Sequence, residues 1–508
     1  MLSRIPTAAI KGIQAVPVTV ETDISKGIPR TEIVGNVEAT IRESKQRIRA
    51  AILNSGMYYP QGRIVINLSP ADVSKRGSLF DLPIAAGLLA SSGQIPIQSA
   101  QEICMAGELS LDGNIHGVRG ILPLLLACRD HGIKYAVIPY ENRQEAGLVR
   151  DMTVYAVKNL GELVSHLKNQ QKLPLVEKID IKKYIVNQET ELDFGDVRGQ
   201  EAAKRALMIG AAGGHGILMS GSPSTGKTML AECLPGIIPP MDDDELMEVA
   251  RIYSVSGELS EDMSCLRGRP FRRPHHRITP AALLGGGSPP LPGEVTLANQ
   301  GVLFLDEFCE FSRSTIDLLR QPLETKQILI ARAGETYPFP ADFWLVAATN
   351  PCRCGYYGDP QRTCVCTQRE IQAYQNRISG PILERIDIHI HLPSVSYEEI
   401  RSGVSRTSEE MRRDVERARA VQKERFRRAG ISINSQMNAR QCQRYLRMES
   451  SAAAFLEQAY DRYHLNPRTL LKVKKVARTI ADVDGSETVQ TGHLSEAIQY
   501  RRTGGNDE

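Results

Sequence analysis

The string GSPSTGKT at positions 221–228 constrains the fold of this chain more than any other feature. It satisfies the pattern G-x-x-x-x-G-K-S/T, follows the apolar run GILMS and opens the helix-like segment TMLAECL. Gly221 and Gly226 allow the backbone to curl so that its N–H groups face phosphates. A strand, a loop and a helix in this order predict a nucleotide-binding α/β domain on a parallel sheet, whereas the alternative is a glycine-rich turn without a ligand.

Two residues at the end of this loop have separate expected roles. Lys227 is expected to neutralise charge on the β- and γ-phosphates, and the hydroxyl of Thr228 is expected to ligate Mg²⁺. The residues expected to contact the nucleotide are Gly221, Ser222, Pro223, Ser224, Thr225, Gly226, Lys227 and Thr228. The sequence therefore predicts a site for ATP and Mg²⁺.

A second string, VLFLDE at 302–307, predicts a buried strand that ends in two acids. The carboxyl end of a strand is where α/β sheets place their ligands. Asp306 is expected to hold Mg²⁺ through water, and Glu307 to orient and deprotonate an attacking water molecule. A third strand, FWLVAATN, ends at Asn350, which is suitably placed to contact the γ-phosphate or that water unless it only forms a turn. The sequence thus predicts nucleotide hydrolysis, not binding alone.

The 508 residues are too many for one hydrophobic core and predict about three domains. Residues 1–168 alternate short β-like runs with helical stretches, which is typical of an α+β domain. A polar segment at 169–193 is interpreted as a linker. Residues 194–394 alternate strands and helices as in a parallel sheet, and 395–508 is almost wholly helical in pattern.

The composition predicts a cytoplasmic protein. The net charge of +3 is near neutral, so nucleic-acid contact would have to come from local patches. No apolar run reaches the roughly 18 residues of a membrane span, and the first residues lack a signal-peptide pattern. We therefore expect no membrane partner, and reduced or metal-bound cysteines.

Four of the ten cysteines form a cluster: Cys352, Cys354, Cys364 and Cys366, spaced as C-x-C, nine residues, C-x-C. Four thiols so close together, with Gly-Asp-Pro turn residues between them, could fold around a tetrahedral structural Zn²⁺. The spacing departs from the commoner C-x-x-C pairs, and the alternative is a loop of reduced cysteines. If the cluster binds zinc, we expect a structural role, because it directly follows Asn350 without supplying a catalytic group.

The order of these motifs, followed by GPILERIDIHI at 380–390, resembles that of an AAA+ ATPase. The strings DVRGQEAAKRAL at 196–207, RPFRRPHHRITPAALLGGG at 269–287 and PGEVTLANQGVLFLDE at 292–307 resemble the Mg-chelatase-like ComM/YifB family. The resemblance covers almost the whole chain. It implies an AAA+ P-loop αβα core with a C-terminal helical lid, in a ring that is a homohexamer.

The resemblance also assigns roles to residues outside the phosphate loop. Arg385 matches the arginine finger that reaches a neighbouring subunit's ATP, where a guanidinium stabilises charge on the transferring phosphoryl group. Arg468 matches the sensor arginine of the lid, acting on either its own nucleotide or a neighbour's. Val197, Gly199 and Gln200 match the stretch that cradles adenine. The loop departs from the family's usual G-P-P-G-S/T-G-K-T, because serines stand at its second and fourth positions.

The strings GSLFDLPIAAGLLA at 77–90 and AGELSLDGNIHGVRGILPLLLAC at 106–128 resemble the C-terminal fold of Lon proteases, which is S5 domain 2-like. That family uses a serine–lysine dyad. Leu79 and Leu122 stand where the nucleophile and base would lie, so the resemblance does not extend to proteolysis. The block is expected to be a scaffold or a nucleic-acid-binding module.

Several basic features favour DNA as the partner. The segment 267–280 matches a helix-2 insert, and the predicted hairpin at 327–343 would project into the ring's pore. Arg332, near its tip, would meet a DNA phosphate unless the hairpin simply lies on the surface. Residues 401–448 hold 13 lysines and arginines against 5 acids, a balance of +8. The basic side of the helix at 39–53 is a further candidate or merely a solvated face.

The family resemblance implies a motor that couples ATP hydrolysis to translocation on single-stranded, duplex or branched DNA, in branch migration or unwinding of recombination intermediates. The resemblance links that activity to natural transformation. One alternative is a chelatase-type motor that remodels a protein partner. Another is a nucleotide-switched binding module, although a mere switch does not need the water-activating Glu307.

Overall fold

The fold is described by a computed structural model of the chain. It covers residues 1–187, 190–259, 262–332, 334–395, 397–402 and 405–502. Over these ranges, no helix is both long and apolar enough to cross a membrane. The elements fall into three groups along the chain, over residues 2–167, 201–392 and 397–502.

The first group is an α+β domain with two main sheets. Its elements are β1 (Leu2–Lys11), β2 (Gln14–Ser25), β3 (Arg30–Val34), α1 (Ala39–Asn54), β4 (Arg63–Ser69), α2 (Asp81–Ser91), α3 (Ile97–Gln101), β5 (Ile103–Met105), β6 (Glu108–Leu109), β7 (Ile115–His116), α4 (Ile121–Asp130), β8 (Tyr135–Pro139), α5 (Arg143–Gly147), β9 (Thr153–Val157) and α6 (Leu160–Leu167). One sheet has the order β1-β2-β4-β3, and the parallel sheet β5-β8-β9 forms the other. Every residue of α2 is buried, because this helix packs against β1 and β2 in the core of the domain.

The polar segment after α6 lies against this first domain. Leu173, Val176 and Ile181 are buried, and the amide of Val176 donates to the carbonyl of Val154 in β9 at 2.9 Å. The apolar residues of the segment therefore add to the core of the first domain, although its composition is polar.

The second group carries a parallel sheet flanked by helices. Its elements are α7 (Glu201–Gly213), β10 (Ile217–Gly221), α8 (Lys227–Glu232), α9 (Asp243–Ser256), β11 (Phe271–Arg272), α10 (Pro280–Leu284), β12 (Gly285–Gly286), β13 (Leu291–Pro292), α11 (Glu294–Leu297), β14 (Val302–Leu305), α12 (Arg313–Asp317), α13 (Arg320–Thr325), β15 (Gln327–Arg332), β16 (Glu335–Pro340), β17 (Trp344–Thr349), α14 (Gln368–Gln375), α15 (Gly380–Leu383) and β18 (Ile388–Leu392). The sheet order is β11-β14-β17-β10-β18, and all four pairings are parallel. The predicted parallel sheet is confirmed, and its strands end at one edge.

The third group is helical. Its elements are α16 (Tyr397–Ser402), α17 (Ser408–Arg425), α18 (Ala439–Tyr445), α19 (Ser450–Arg462), α20 (Pro467–Val483) and α21 (Thr491–Arg502). Helix α20 packs against α7, α17 and α21. Asp482 is fully buried and accepts hydrogen bonds from Arg425 and Arg478, each at 2.7 Å. These bonds compensate the charge of the buried carboxylate.

Helix α9 joins the first domain to the second. The amide of Gly120 donates to the carbonyl of Ser254 at 2.9 Å, and the amide of Leu122 donates to the Ser254 hydroxyl at 3.3 Å. That hydroxyl in turn donates to the buried carboxylate of Glu145 at 2.5 Å. The interface therefore buries an ionisable group, and burial raises the pKa of Glu145 to about 7.

Candidate functional site

The predicted phosphate loop lies between β10, which ends at Gly221, and α8, which begins at Lys227. Its backbone curls through two left-handed residues, Ser224 at φ 65° and Gly226 at φ 88°. Glycine adopts this conformation without strain, whereas a residue with a Cβ pays roughly 1–2 kcal/mol. The serine at the fourth position of the motif is therefore held in a conformation that glycine would adopt more easily.

The ammonium of Lys227 is held inside the curl of the loop. Nζ donates to the carbonyl oxygens of Gly221 and Ser222, both at 2.7 Å, and the side chain is only 9% exposed. Burial lowers the pKa of Lys227 to about 8, because desolvation disfavours the charged form. A phosphate bound at this loop would give the Lys227 ammonium a charged partner in place of the two neutral carbonyl groups.

The structure brings Thr228 and Asp306 together, although they lie far apart in sequence. The Thr228 hydroxyl donates to Asp306 Oδ2 at 3.0 Å, because the two residues follow β10 and β14 at the same edge of the sheet. A hydroxyl and a carboxylate in contact are the pair of oxygens that AAA-type and related P-loop sites offer to Mg²⁺. Glu307 follows at φ 51° with its side chain 56% exposed, so its carboxylate is open to water.

The basic insert folds back onto both of these acids. Arg273 donates to Asp306 Oδ2 at 2.7 Å and to Glu232 at 2.8 Å. His276 Nδ1 lies 3.0 Å from Glu307 Oε2. These contacts arise because β11 pairs in parallel with β14, so the residues after the two strands are neighbours.

Sequence reasoning missed these two contacts. It placed Arg273 and His276 in the insert at 267–280 and assigned neither of them to the acids. The signal that could have found them is the short β-like pair at positions 271–272 ahead of the basic run, which extends the sheet on the side of the acids.

Asn350 follows β17 directly and lies at the edge where the other motifs end. Thr349 pairs with Ser220, the residue before Gly221, so Asn350 and the start of the phosphate loop are at the same level of the sheet. This register places Asn350 beside the start of the phosphate loop. The contact with a γ-phosphate or with water stays a prediction.

The stretch expected to cradle adenine is joined to the phosphate loop. Gln200, at φ 60°, precedes α7, and its Nε2 donates to the carbonyl oxygens of Thr225 at 3.3 Å and Pro393 at 2.7 Å. Val197 is buried, and its carbonyl accepts from the buried ammonium of Lys204 at 2.5 Å. The stretch that also contains Gly199 is therefore fixed against the loop, and its contact with adenine stays a prediction.

Arg385 and Arg468 lie together on another carboxylate. Both donate to Glu324 Oε1 in α13, at 2.5 and 2.7 Å, and Arg468 also approaches Glu384 at 3.6 Å. Glu324 is about half exposed, and the hydrogen bond from Arg385 lowers its pKa. The structure therefore groups the predicted finger and sensor arginines on one surface. Among the described residues, their ion pairs are with Glu324 and Glu384 and not with Asp306 or Glu307.

The segment that carries Arg385 is tied to the helical group. Asp387 accepts from Lys472 of α20, and His215 Nδ1 lies 3.0 Å from its other oxygen. The ring of His215 also contacts the Thr479 hydroxyl at 2.8 Å. Burial alone would raise the pKa of Asp387, but the Lys472 ammonium and His215 hold it well below its usual range.

The four clustered cysteines come together as a possible metal site. Their sulfur atoms all lie within 4.8 Å of one another. The Sγ atoms of Cys352 and Cys354 are 3.3 Å apart, and both are 3.5–3.6 Å from Cys364. These separations exceed the roughly 2.05 Å between the sulfur atoms of a disulfide, so the thiols are not joined to one another. Together with Cys366 they form a set of four sulfur atoms that could hold a metal ion.

The predicted hairpin is confirmed as β15 paired with β16. Arg332 ends β15 and is exposed, while position 333 lies outside the described residues. Tyr337 pairs with Ile330 in the hairpin, and the Arg76 guanidinium of the first domain lies 5.8 Å from the centre of the Tyr337 ring. The hairpin thus has an anchored side and a solvent-facing end that carries Arg332.

Many basic side chains outside the hairpin have internal partners. Arg47 of α1 donates to the buried carboxylate of Asp81 at 2.7 Å. Arg419 donates to the carbonyl of Ala211 at 2.7 Å, and Arg425 belongs to the buried Asp482 cluster. Ten of the 13 basic residues of the segment 401–448 are nonetheless exposed, among them Arg428, Arg440 and Arg444, so most of its positive charge faces solvent.

The first domain holds leucines where a Lon-type dyad would stand. Leu79 is 7% exposed and Leu122 is fully buried. The hydroxyl of the neighbouring Ser78 hydrogen-bonds to Glu108, and no basic side chain is recorded as its partner in the part of the chain that the structure describes. Both leucines contribute to the core of the first domain.

Three family matches cover most of the chain. The family described as "Magnesium chelatase, subunit ChlI" matches residues 193–400. "Subunit ChlI of Mg-chelatase" matches residues 20–142, and "Magnesium chelatase, subunit ChlI C-terminal" matches residues 405–501. The phosphate loop, the acid strand and the finger segment all fall within the first of these matches.

Curated relatives extend the similarity to nearly the full length. Competence protein ComM of Haemophilus influenzae is 42% identical over 506 residues, which is 98% of this chain and 97% of that protein. Uncharacterized protein YifB of Escherichia coli is 39% identical over 501 residues, 98% of this chain and 97% of that protein. Lon protease 2 of Bacillus subtilis is 28% identical over 148 residues, 28% of this chain and 26% of that protein. The chain therefore belongs to the Mg-chelatase-like ComM/YifB family of AAA+ ATPases.

Proposed function

We propose that this protein is a ring-forming ATPase that uses ATP hydrolysis to move along DNA. The observation that carries the ATPase part is the assembled edge of the sheet, where Lys227 lies inside the phosphate loop and Thr228 contacts Asp306 at 3.0 Å. Family membership implies ATPase activity. Movement on DNA, as branch migration or unwinding of recombination intermediates, is the finer part of the proposal.

The hydrolysis mechanism follows from the positions of these side chains. The loop amides and Lys227 would bind the β- and γ-phosphates, and the oxygens of Thr228 and Asp306 would hold Mg²⁺. The exposed carboxylate of Glu307 would take a proton from the attacking water, with Asn350 orienting that water or the γ-phosphate. Mg²⁺ supplies charge neutralisation on the phosphate oxygens when it is bound.

The finger and sensor arginines complete the site of a neighbour in this proposal. Arg385 and Arg468 sit together on Glu324, and their described ion pairs do not involve Asp306 or Glu307. A guanidinium delivered from the next subunit stabilises the transferring phosphoryl group and is worth about 10³–10⁵ in rate in known systems. This arrangement supports a homohexameric ring in which each site needs residues from two subunits.

In this proposal, the insert and the β15–β16 hairpin couple the nucleotide site to DNA. Arg273 and His276 touch the two acids, so nucleotide and Mg²⁺ would displace or rearrange them. The exposed end of the β15–β16 hairpin carries Arg332, whose guanidinium suits a DNA phosphate. The relative named a competence protein and the family resemblance favour branched recombination intermediates as the substrate.

The proposal is tested by ATP hydrolysis of the purified protein with no DNA and with single-stranded, duplex or four-way-junction DNA. We expect DNA to stimulate turnover, and Glu307→Gln to retain ATP binding while losing hydrolysis. Strand displacement or junction migration must then depend on ATP. If no DNA binds or raises turnover, the DNA part is wrong while the ATPase part stands.

A second candidate is a chelatase-type motor that remodels a protein partner, and the three magnesium-chelatase family matches favour it. Stimulation of ATP hydrolysis distinguishes the two candidates. A protein partner that raises turnover when DNA does not would favour the chelatase-type motor.

A further inference from the structure

We propose that Cys352, Cys354, Cys364 and Cys366 bind one Zn²⁺, and that this metal knuckle positions the phosphate loop. The four residues and the loop between them, positions 352–366, are called the cysteine knuckle below. The first half of the inference is independent of the proposed DNA activity. The second half rests on nucleotide binding by the phosphate loop.

The geometry of the knuckle fits one tetrahedral ion. Thiolate sulfurs at 2.3 Å from Zn²⁺ in a tetrahedron lie about 3.8 Å from one another. The recorded separations of 3.3, 3.5 and 3.6 Å among Cys352, Cys354 and Cys364 are close to this value. Cys366 brings the set to four ligands with all sulfurs within 4.8 Å. Four thiolates without an open position form a closed site, which is typical of structural zinc.

The knuckle has no regular secondary structure that could hold it together. Residues 352–366 contain neither a helix nor a strand, and they lie between β17 and α14. A segment of this kind makes few backbone hydrogen bonds of its own, so a metal cross-link contributes directly to its folding. Cys352 is fully buried, which places the first ligand at the end of β17, beside Asn350 and Pro351.

Two contacts connect the knuckle to the phosphate loop. Gly355, at φ 90°, packs so closely on Pro223 that an added Cβ would lie 2.6 Å from the Cδ and Cγ atoms of that ring. The Ser222 hydroxyl faces the carboxylate of Asp359 and lowers the pKa of that carboxyl group. That carboxylate also accepts from the amides of Gln361 and Arg362, at 2.8 and 3.0 Å, which fixes its position within the knuckle.

Both contacts are made to the first half of the phosphate loop. Ser222 and Pro223 are the second and third residues of the phosphate loop, and the carbonyl of Ser222 accepts from Lys227 at 2.7 Å. Loss of the metal would release Gly355 and Asp359, and the loop would lose its outer support. A less preorganised loop binds phosphate more weakly, because ordering it then opposes binding.

The metal half is tested on the full-length protein purified under reducing conditions. We expect metal analysis to find about one zinc per protomer, as the four-ligand site requires, and expect Cys364→Ser to lose it. Cys265→Ser changes a half-buried cysteine outside the knuckle and is the matched control. A folded wild-type protein that stays metal-free after incubation with Zn²⁺ would overturn the inference.

The positioning half is tested with a fluorescent ATP analogue on the same preparations. We expect analogue binding to weaken by about tenfold when zinc is removed by a chelator, and equally in Cys364→Ser. A tenfold change corresponds to the loss of about one hydrogen bond to a charged group. Asp359→Ala leaves all four thiols in place, so it should retain zinc yet weaken binding similarly. It also keeps the test open if Cys364→Ser fails to fold. Unchanged affinity after zinc loss and in Asp359→Ala would overturn the positioning role while leaving the metal site intact.

Discussion

Arg385 and Arg468 donate to the same atom, Oε1 of Glu324, at 2.5 and 2.7 Å. One carboxylate therefore pairs with both guanidinium groups. The two arginines come from different parts of the chain, because Arg385 follows α15 and Arg468 lies in α20. The Nε of Arg385 is buried without an acceptor among the described residues. The finger arginine is thus only partly satisfied by its own subunit, which suits a group that serves another binding partner.

Glu324→Gln tests whether this carboxylate competes with phosphate for the two arginines. We expect kcat/KM for ATP to rise in this variant. In the wild type, the two guanidinium groups must break their ion pair with Glu324 before they reach a neighbour's nucleotide, and the variant has no such ion pair to break. Thermal stability should change by less than about 1 kcal/mol, since the Glu324 side chain is about half exposed. Glu384→Gln, which removes the carboxylate 3.6 Å from Arg468, is the matched control. A fall in activity as deep as that of Arg385→Ala would instead assign Glu324 to positioning the finger.

Mixing two inactive variants tests the shared site. Lys227→Ala removes the phosphate-loop ammonium and Arg385→Ala removes the finger. Each variant alone should lose at least about 10³ in ATP turnover, the lower value of an arginine finger. Mixed rings should recover measurable turnover, because some interfaces then pair an intact loop with an intact finger. Absence of recovery in mixtures that co-assemble would contradict a finger acting between subunits.

Arg273→Ala should lower the Mg²⁺ concentration that supports half-maximal ATP hydrolysis. The Arg273 guanidinium contacts Asp306 Oδ2 at 2.7 Å, and Asp306 is the carboxylate that would hold Mg²⁺, so the two cations would compete for this group. Titration of ATP turnover with Mg²⁺ at saturating nucleotide measures the effect. Arg277→Ala, an exposed change in the same insert, should leave the Mg²⁺ requirement as it is. An unchanged requirement in Arg273→Ala would show that the contact does not oppose metal binding.

ATP affinity should fall as the pH rises above about 8, the value to which burial lowers the pKa of Lys227. Bound phosphate favours the charged amine and raises that pKa, so binding takes up a proton once the free site is deprotonated. The affinity should be constant just below pH 8 and decrease by up to about tenfold per pH unit above it. Lys227→Arg, which stays charged, should lose this dependence even if it binds more weakly. Equilibrium titrations with a fluorescent ATP analogue between about pH 7.5 and 9.5 measure it.

The interface between the first domain and α9 should be less stable at pH 8 than at pH 5. Burial raises the pKa of Glu145 to about 7 in the folded protein, so the folded state holds the proton more tightly than the unfolded chain. That contribution is complete below the unfolded pKa near 4.5 and is lost as the pH rises through about 7. The shift corresponds to about 3 kcal/mol.

Glu145→Gln should remove most of this pH dependence, because glutamine keeps the shape of the side chain without its charge. Urea unfolding of wild type and variant at both pH values measures the difference. Glu102→Gln, on an exposed side chain, is the control and should unfold like the wild type. A wild-type stability that does not fall between the two pH values would contradict the role of the buried carboxyl group.

Local patterns along the chain sufficed for the motor core. The phosphate loop, the acid strand, the parallel sheet and the hairpin are each encoded within a short window, where apolar runs and turn residues decide the backbone. Lys227, Thr228, Asp306 and Asn350 were all found this way, because parallel strands bring their carboxyl ends to one edge.

Contacts between distant segments could not be predicted in that way. The placement of Arg273 on Asp306, of Arg385 and Arg468 on Glu324, and of Asp359 against Ser222 depends on how separate elements pack. Charge counts also do not show which basic residues are paired inside the protein, as Arg47 and Arg425 are with buried carboxylates. The sequence by itself determined the nucleotide chemistry, because its motifs are local. Only the tertiary structure decided which charges are paired, because pairing depends on side chains that meet across the fold.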